Sequence, residues 1–211
     1  MIKGTLNQLK PIDELKRFKG MVKHLPIHLQ VYSVIQLVLI KWKQQKTVDL
    51  LLDVHGHQIL ENGIFNGDPH PGNLLTLSNG KIGLIDYGQC KVLGESQRFA
   101  ISKVVQELGA PIVNDEAIQR AMHNFGFRFN NDNVNAIRET ARLFFDSDRG
   151  SRAAGCTNPQ EFYQQLQKSN RFTVPDEAVY IARTSFLFRG MGSLLGTNIE
   201  TSKRWSKIIV K

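Results

Sequence analysis

The segment 66–88, NGDPHPGNLLTLSNGKIGLIDYG, constrains the fold of this chain more than any other stretch. Two short apolar runs, LLTL and KIGLI, flank Ser78-Asn79-Gly80. An Asn-Gly pair between β-like runs is the strongest short-range signal for a tight hairpin. A hairpin goes out and returns, with its strands about 4.8 Å apart. Asn73, just before it, and Asp86, just after it, are therefore expected side by side. The rest reads helical. Expected helices run from Pro11 to about Lys23, from Pro26 to about Gln45, and from Thr47, as an N-cap, to Gly63. Six more are expected at about 95–109, 114–124, 131–146, 159–168, 176–195 and 201–209, from apolar periodicity. The expected fold class is α+β, mainly α, with one central β-hairpin.

The same segment carries chemistry. A side-chain carbonyl and a carboxylate at strand separation suit Mg²⁺, which takes a few oxygen ligands together with substrate phosphates. Asp68 lies five residues before Asn73, and Asp86 thirteen after it. In phosphoryl transfer the first spacing separates a catalytic-loop Asp from a metal-binding Asn. Asp68 is then the residue that orients an attacking hydroxyl or water and accepts its proton. Pro69, Pro71 and Gly72 fix the loop backbone between Asp68 and Asn73, and Gly88 permits the turn after Asp86. A rigid loop matters because phosphoryl transfer is mostly positioning and charge neutralisation. The plainer alternative, an Asx-rich loop ahead of an ordinary hairpin, must meet both spacings by coincidence.

Composition narrows the partners. At 211 residues the chain fits one domain, or one lobe of a larger one. Cys90 and Cys156 make no disulfide framework, and neither has a zinc-like partner at suitable spacing. The net charge of +8 is concentrated in residues 1–50, with nine Lys/Arg against three Asp/Glu. Such a segment could meet anionic lipid or nucleic acid, and a solvated basic face is the plainer reading. The most apolar N-terminal run, Leu29 to Ile40, is 12 residues long. A bilayer span needs about 20, so a buried or interfacial helix is expected. No signal peptide or transit peptide is evident.

Other residues read as structural. His55 and His57, two apart on a helix, point to different faces and make a poor metal pair. His70 is expected to hydrogen-bond the loop backbone, since Asp68 fills the base role. Phe125, Phe127, Phe129, Phe144 and Phe145 are expected in the core rather than in a base-stacking platform. Asp146 and Asp148 are expected to cap a helix or pair with Arg142 or Arg149 rather than bind a cation. Arg183 and Arg189 are expected to pair with loop carboxylates. Cys90 reads as a small packing residue.

FNGDPHPGNLL followed by GLIDYGQ resembles the catalytic and metal-binding loops of the UbiB/ADCK, or aarF-domain, atypical kinases. Small-molecule kinases such as aminoglycoside phosphotransferases share a similar loop. The flanks LLDVHGHQILENGIF, ARLFFDSDRG and PDEAVYIARTSFLFRGMGSLLG also resemble the UbiB/ADCK family, so the likeness covers about Val48 to Ile209. It implies a protein-kinase-like C-lobe over residues 47–211, with Asp68 the catalytic Asp and Asn73 and Asp86 the Mg²⁺ ligands. Tyr87 stands where Phe is more usual, a mild change on what the resemblance implies is a packing residue. The resemblance further implies Mg²⁺ and ATP as cofactors, and ATP hydrolysis or phosphorylation of small or lipid-linked molecules. It implies links to ubiquinone or other prenyl-lipid metabolism at mitochondrial, plastid or bacterial membranes, with nucleotide, membrane lipid or prenyl-quinone biosynthesis proteins as partners and no nucleic acid.

Residues 1–46, a basic helical segment, match none of the family's upstream half. No KxGQ segment, no glycine-rich nucleotide loop and no nucleotide-binding Lys is found there. The expectation is an absent N-lobe and a chain that handles nucleotide weakly by itself. A fragment, a truncated non-catalytic relative and a different lid built by residues 1–46 all remain open. Two rival functions accompany this reading: a pseudokinase-like scaffold or membrane-docking module, and a basic nucleic-acid-binding domain.

Overall fold

A computed structural model of the chain describes residues 26–77 and 81–209. The helix expected at 11–23 and the turn Ser78–Gly80 lie outside the described residues. After Pro26 a single helix, α1 (Ile27–His57), runs for 31 residues. Two helices broken at Thr47 were expected, and the structure corrects this. Nothing between Gln45 and Thr47 breaks a helix, and the Thr47 hydroxyl donates to the Lys43 carbonyl one turn back at 3.1 Å. A threonine that bonds its own preceding turn sits comfortably inside a helix. One turn of π-helix, Gln58–Asn62, continues α1. It ends at Gly63, whose φ of 71° only glycine adopts readily.

The remaining elements in chain order are β1 (Ile64–Asn66), a 3₁₀ turn (Pro71–Asn73), β2 (Leu74–Thr76), β3 (Ile82–Leu84) and β4 (Cys90–Val92). Then come α2 (Glu95–Gly109), α3 (Asp115–Phe125), β5 (Arg128–Phe129), α4 (Val134–Phe145) and α5 (Arg149–Ala153). The chain closes with α6 (Pro159–Ser169), β6 (Phe172–Thr173), α7 (Asp176–Leu195) and α8 (Thr201–Ile209). The fold is α+β and mainly α. The expected hairpin is β2–β3, antiparallel, with Leu74 opposite Leu84 and Thr76 opposite Ile82. Two further antiparallel pairs, β1–β4 and β5–β6, were not expected. Their strands are two or three residues long, too short to show a period of two in sequence.

Asparagines decide where three helices begin. The side-chain oxygens of Asn114, Asn133 and Asn158 accept from the backbone N–H groups of Ala117, Ala136 and Glu161. Each meets one of the orphan donors of a helix start. The start expected near 131 therefore moves to Val134, because Asn133 rather than Asn131 is the cap.

The main core joins α2, α3, α4, α7 and α8. Phe125, Phe127, Phe144 and Phe145 are buried in it, with Phe129 packed against them. Phe127 meets Phe144 edge to face at 5.5 Å, the arrangement that ring quadrupoles favour. A second cluster sets α1 against α7 through Val48, Leu51, Leu52, Phe188 and Met191. Leu74, Ile82 and Leu84 of the hairpin pack on that second cluster, which fixes the hairpin on the body of the protein.

Candidate functional site

The 66–88 segment is held as one assembly by Asn66. This side chain is buried. Its oxygen accepts from Asp68 N–H at 2.9 Å, and its amide donates to the Asp86 carbonyl at 2.7 Å. Its own N–H donates to Gln58 of the π-helical turn at 3.3 Å. One buried amide thus ties the backbone before the hairpin to the backbone after it. Sequence reasoning missed Asn66. The available signal was an Asx residue two positions ahead of Asp68, the spacing of an Asx turn.

The hairpin ends meet at one edge. Ile85 N–H donates to the Asn73 carbonyl at 3.1 Å, one step beyond the Leu74–Leu84 pair. The Asn73 side-chain amide donates back to the Asp68 carbonyl at 3.4 Å. The structure thus links the backbones at 68, 73 and 86. His70 closes the loop between them: its Nδ1 accepts from Gly72 N–H at 3.0 Å, and its carbonyl accepts from Asn73 N–H at 2.8 Å. Pro71 opens the 3₁₀ turn, where its missing N–H costs nothing. Gly67 must be glycine for space. A Cβ there would lie 2.8 Å from the Tyr180 ring of α7 and 3.0 Å from the Gln89 carbonyl.

Asp68 is half-buried. It pairs with Arg183 of α7 at 2.8 Å, and the same guanidinium donates to Gln89 at 3.0 Å. The expectation that Arg183 meets a loop carboxylate is met. Asp86 is exposed, and one of its carboxylate oxygens accepts from Gly88 N–H at 2.8 Å. Tyr87 is 53% exposed, so it does not fill the packing role expected of it. Cys90 is also exposed, a correction to its reading as a packing residue. Strand β4 has a single neighbour, and its alternation turns residues 90 and 92 outward.

Asp68, Asn73 and Asp86 offer only oxygen ligands, two carboxylates and an amide. That set suits Mg²⁺, which takes few protein ligands and completes its shell with water and phosphate oxygens. Among the described residues, no cluster of three or more His, Cys, Asp or Glu side chains is arranged for a metal ion. His55 and His57 fall apart as expected: His55 is buried and bonds the Leu51 carbonyl, while His57 bonds Glu61 at 2.7 Å. Asp146 accepts from Ser202 N–H at 3.3 Å and from the Ser202 hydroxyl, and so caps α8. Asp148 lies 3.4 Å from Arg189. The partners expected for these acids are engaged elsewhere, Arg142 with Glu139 and Arg149 with Glu200.

Residues 28–120 match the family model of the ABC1 atypical kinase-like domain. The matched stretch is less than half of the chain and is similar to that domain. It contains Asp68, Asn73 and Asp86, and it begins twenty residues ahead of Val48. Over 90 residues, 42% of this chain, the sequence is 39% identical to Activity of BC1 Complex Kinase 3, chloroplastic, of Arabidopsis thaliana. Over 62 residues, 28% of the chain, it is 44% identical to Activity of BC1 Complex Kinase 1, chloroplastic, of the same plant. An uncharacterized protein of Synechocystis aligns with 68% of the chain at 26% identity. The alignments span 12%, 9% and 25% of the lengths of these ABC1-family and Synechocystis relatives. Among the described residues, no helix is long and apolar enough to cross a membrane.

Proposed function

We propose that residues 66–88 handle the Mg²⁺-bound phosphates of a nucleotide, as the loop pair of an atypical kinase or ATPase. Asp68 orients the attacking hydroxyl or water and accepts its proton, and Asn73 and Asp86 hold the cation. When bound, Mg²⁺ neutralises charge on the phosphates. The chain's own residues position it. Asn66 spaces the two loops, His70 and Pro71 stiffen the turn to Asn73, and Arg183 fixes the Asp68 carboxylate. The observation that carries this reading is the link from Asp68 through Asn73 to Ile85, which brings both loops to one rim of the β2–β3 hairpin.

The same reading makes residues 47–211 a kinase-like C-lobe, to which α1 joins residues 27–46. With no phosphate-gripping Lys recognised in residues 1–46, Mg-ATP affinity of this chain by itself is expected to be weak, because electrostatic preorganisation supplies much of phosphate binding. The names of the Arabidopsis relatives support a plastid location, and the UbiB/ADCK resemblance supports a prenyl-lipid connection.

Phosphorus NMR of ATP titrated with the 211-residue chain, with and without Mg²⁺, tests the reading. Mg²⁺-dependent broadening that disappears in Asp86→Ala and weakens in Asn66→Ala is the expected result. ATP spectra indifferent to the protein at every Mg²⁺ concentration would instead establish the scaffold alternative.

A further inference from the structure

The first half of α1 turns apolar side chains to solvent around most of its circumference. Ile27, Tyr32, Ile35, Val38, Ile40 and Trp42 are all exposed. At about 100° per residue these six positions spread over roughly 220° of the helix. A helix that docks on a protein surface needs an apolar stripe of only about 100°. One docked partner would therefore leave much of this face wet. Exposed apolar area on such a scale marks an interaction site. The α7 surface that buries Val48, Leu51 and Leu52 does not cover it.

Charge identifies the occupant. From Leu15 to Val48 the sequence has seven Lys or Arg and no Asp or Glu. Four of the seven precede the helix in sequence. Lys41, Lys43 and Lys46 follow its apolar run and are exposed. A second copy of the chain would bring like charges together in either a parallel or an antiparallel pairing. A nucleic acid would meet the lysines and leave the apolar side chains without a partner. An anionic lipid surface answers both needs. Its headgroups attract the lysines, and its acyl boundary accepts apolar side chains on every side of the helix. Tyr32 and Trp42 suit that boundary, each with an apolar ring and a polar tip. Lys46 Nζ lies 3.7 Å over the Trp42 ring, so ring and ammonium reach the headgroup layer together. Length limits the depth. Ile27 to Ile40 is 14 residues. That is about 21 Å of helix, short of a hydrocarbon core of about 30 Å.

We infer that the first half of α1 is an anchor seated in one leaflet of an anionic membrane, its apolar side chains in the acyl boundary and Lys41, Lys43 and Lys46 on the headgroups. The second half of the same helix packs on α7 in the cluster that also holds the β2–β3 hairpin. One continuous helix thus joins the anchor to the 66–88 loops. The inference does not depend on nucleotide handling at those loops.

Flotation of the 211-residue chain with vesicles tests the anchor, using phosphatidylcholine alone and phosphatidylcholine mixed with phosphatidylglycerol. Binding to the anionic vesicles is expected to be at least about tenfold tighter, from about fivefold per engaged lysine, and to weaken in high salt. Tryptophan emission should shift to the blue on those vesicles, and Trp42→Phe should remove the shift, because Trp205 is buried already. Ile35→Glu with Val38→Glu is expected to abolish flotation and leave the urea midpoint unchanged, since both side chains are exposed. Lys41→Ala with Lys43→Ala is expected to reduce the preference for anionic vesicles at least about tenfold. Four outcomes would each overturn the assignment. They are no flotation with anionic vesicles at low salt, equal binding to the two kinds of vesicle, and flotation that survives Ile35→Glu with Val38→Glu. The fourth is a dimer in light scattering, lost in that variant, without vesicle binding, which would give the face to a second copy.

Discussion

The first half of α1 is richer in apolar residues than the second, yet the second half is the one that packs into the core. In the first half Ile27 is 79% exposed and Trp42 54%, and Tyr32, Ile35, Val38 and Leu39 are exposed as well. In the second half Val48, Leu51 and Leu52 are buried against α7, and His55 lies edge-on to Phe188 at 5.0 Å. Helix α8 clamps the same half. Trp205 Nε1–H donates to the Leu52 carbonyl at 2.8 Å, and Arg204 grips Asp53 with two bonds of 2.6 and 2.8 Å. Apolar composition alone does not bury a residue. Burial requires a second surface, and among the described residues α7 and α8 supply it from about residue 48 onward.

Substitutions along the helix sharpen this contrast. The largest effect is expected from Leu52→Ala, which empties a fully buried site at the α1–α7 contact. It should lower stability by about 2–5 kcal/mol in urea unfolding. A loss below about 1 kcal/mol would show that the second half is held no better than the first.

Acid should act through His55. Burial holds its pKa below the ordinary value of 6.5. Nδ1–H donates to the Leu51 carbonyl, and Nε2 is buried without a partner. The folded state therefore keeps this ring neutral where the unfolded chain takes up a proton. Stability is then full above about pH 6.5 and falls as the pH drops toward the lowered folded value, by at most about 1.4 kcal/mol per pH unit from one group. His55→Gln should flatten that part of the curve in pH-dependent unfolding, and an unchanged curve would assign the acid sensitivity elsewhere.

Arg204→Ala removes the two-bond grip on Asp53, a partly exposed pair. A loss of up to about 1 kcal/mol is expected in the same assay, shrinking in high salt. The smallest effect is expected in the first half of the helix. Val38→Ser should stay within about 0.5 kcal/mol. A loss above 1 kcal/mol would mean that another surface covers this side chain in solution.

The loop assembly shows what could be read in advance. Asn-Gly and two apolar runs specified the β2–β3 hairpin, and the hairpin brought the backbones at Asn73 and Asp86 together, because both consequences are local. Helix ends with strong signals, such as Glu95, Asp176 and Gly63, were legible too. Thr47 was misread because an N-cap and an internal threonine bonding its preceding turn look alike in sequence. Asn66 was missed because its value lies in a bond to the Asp86 carbonyl twenty residues away. Cys90 was placed inside because its small apolar character was visible and the one-sided pairing of β4 was not.

The amino-acid sequence alone determined the mainly helical class, the central hairpin and the spacing of Asp68, Asn73 and Asp86, since these follow from turn chemistry and periodicities within about twenty residues. Tertiary structure decided which half of α1 is buried, which acid each arginine meets, and which backbones Asn66 ties together. Those outcomes depend on surfaces that come together only when α7, α8 and the 66–88 loops dock, and no local pattern encodes the shape of a partner distant in sequence.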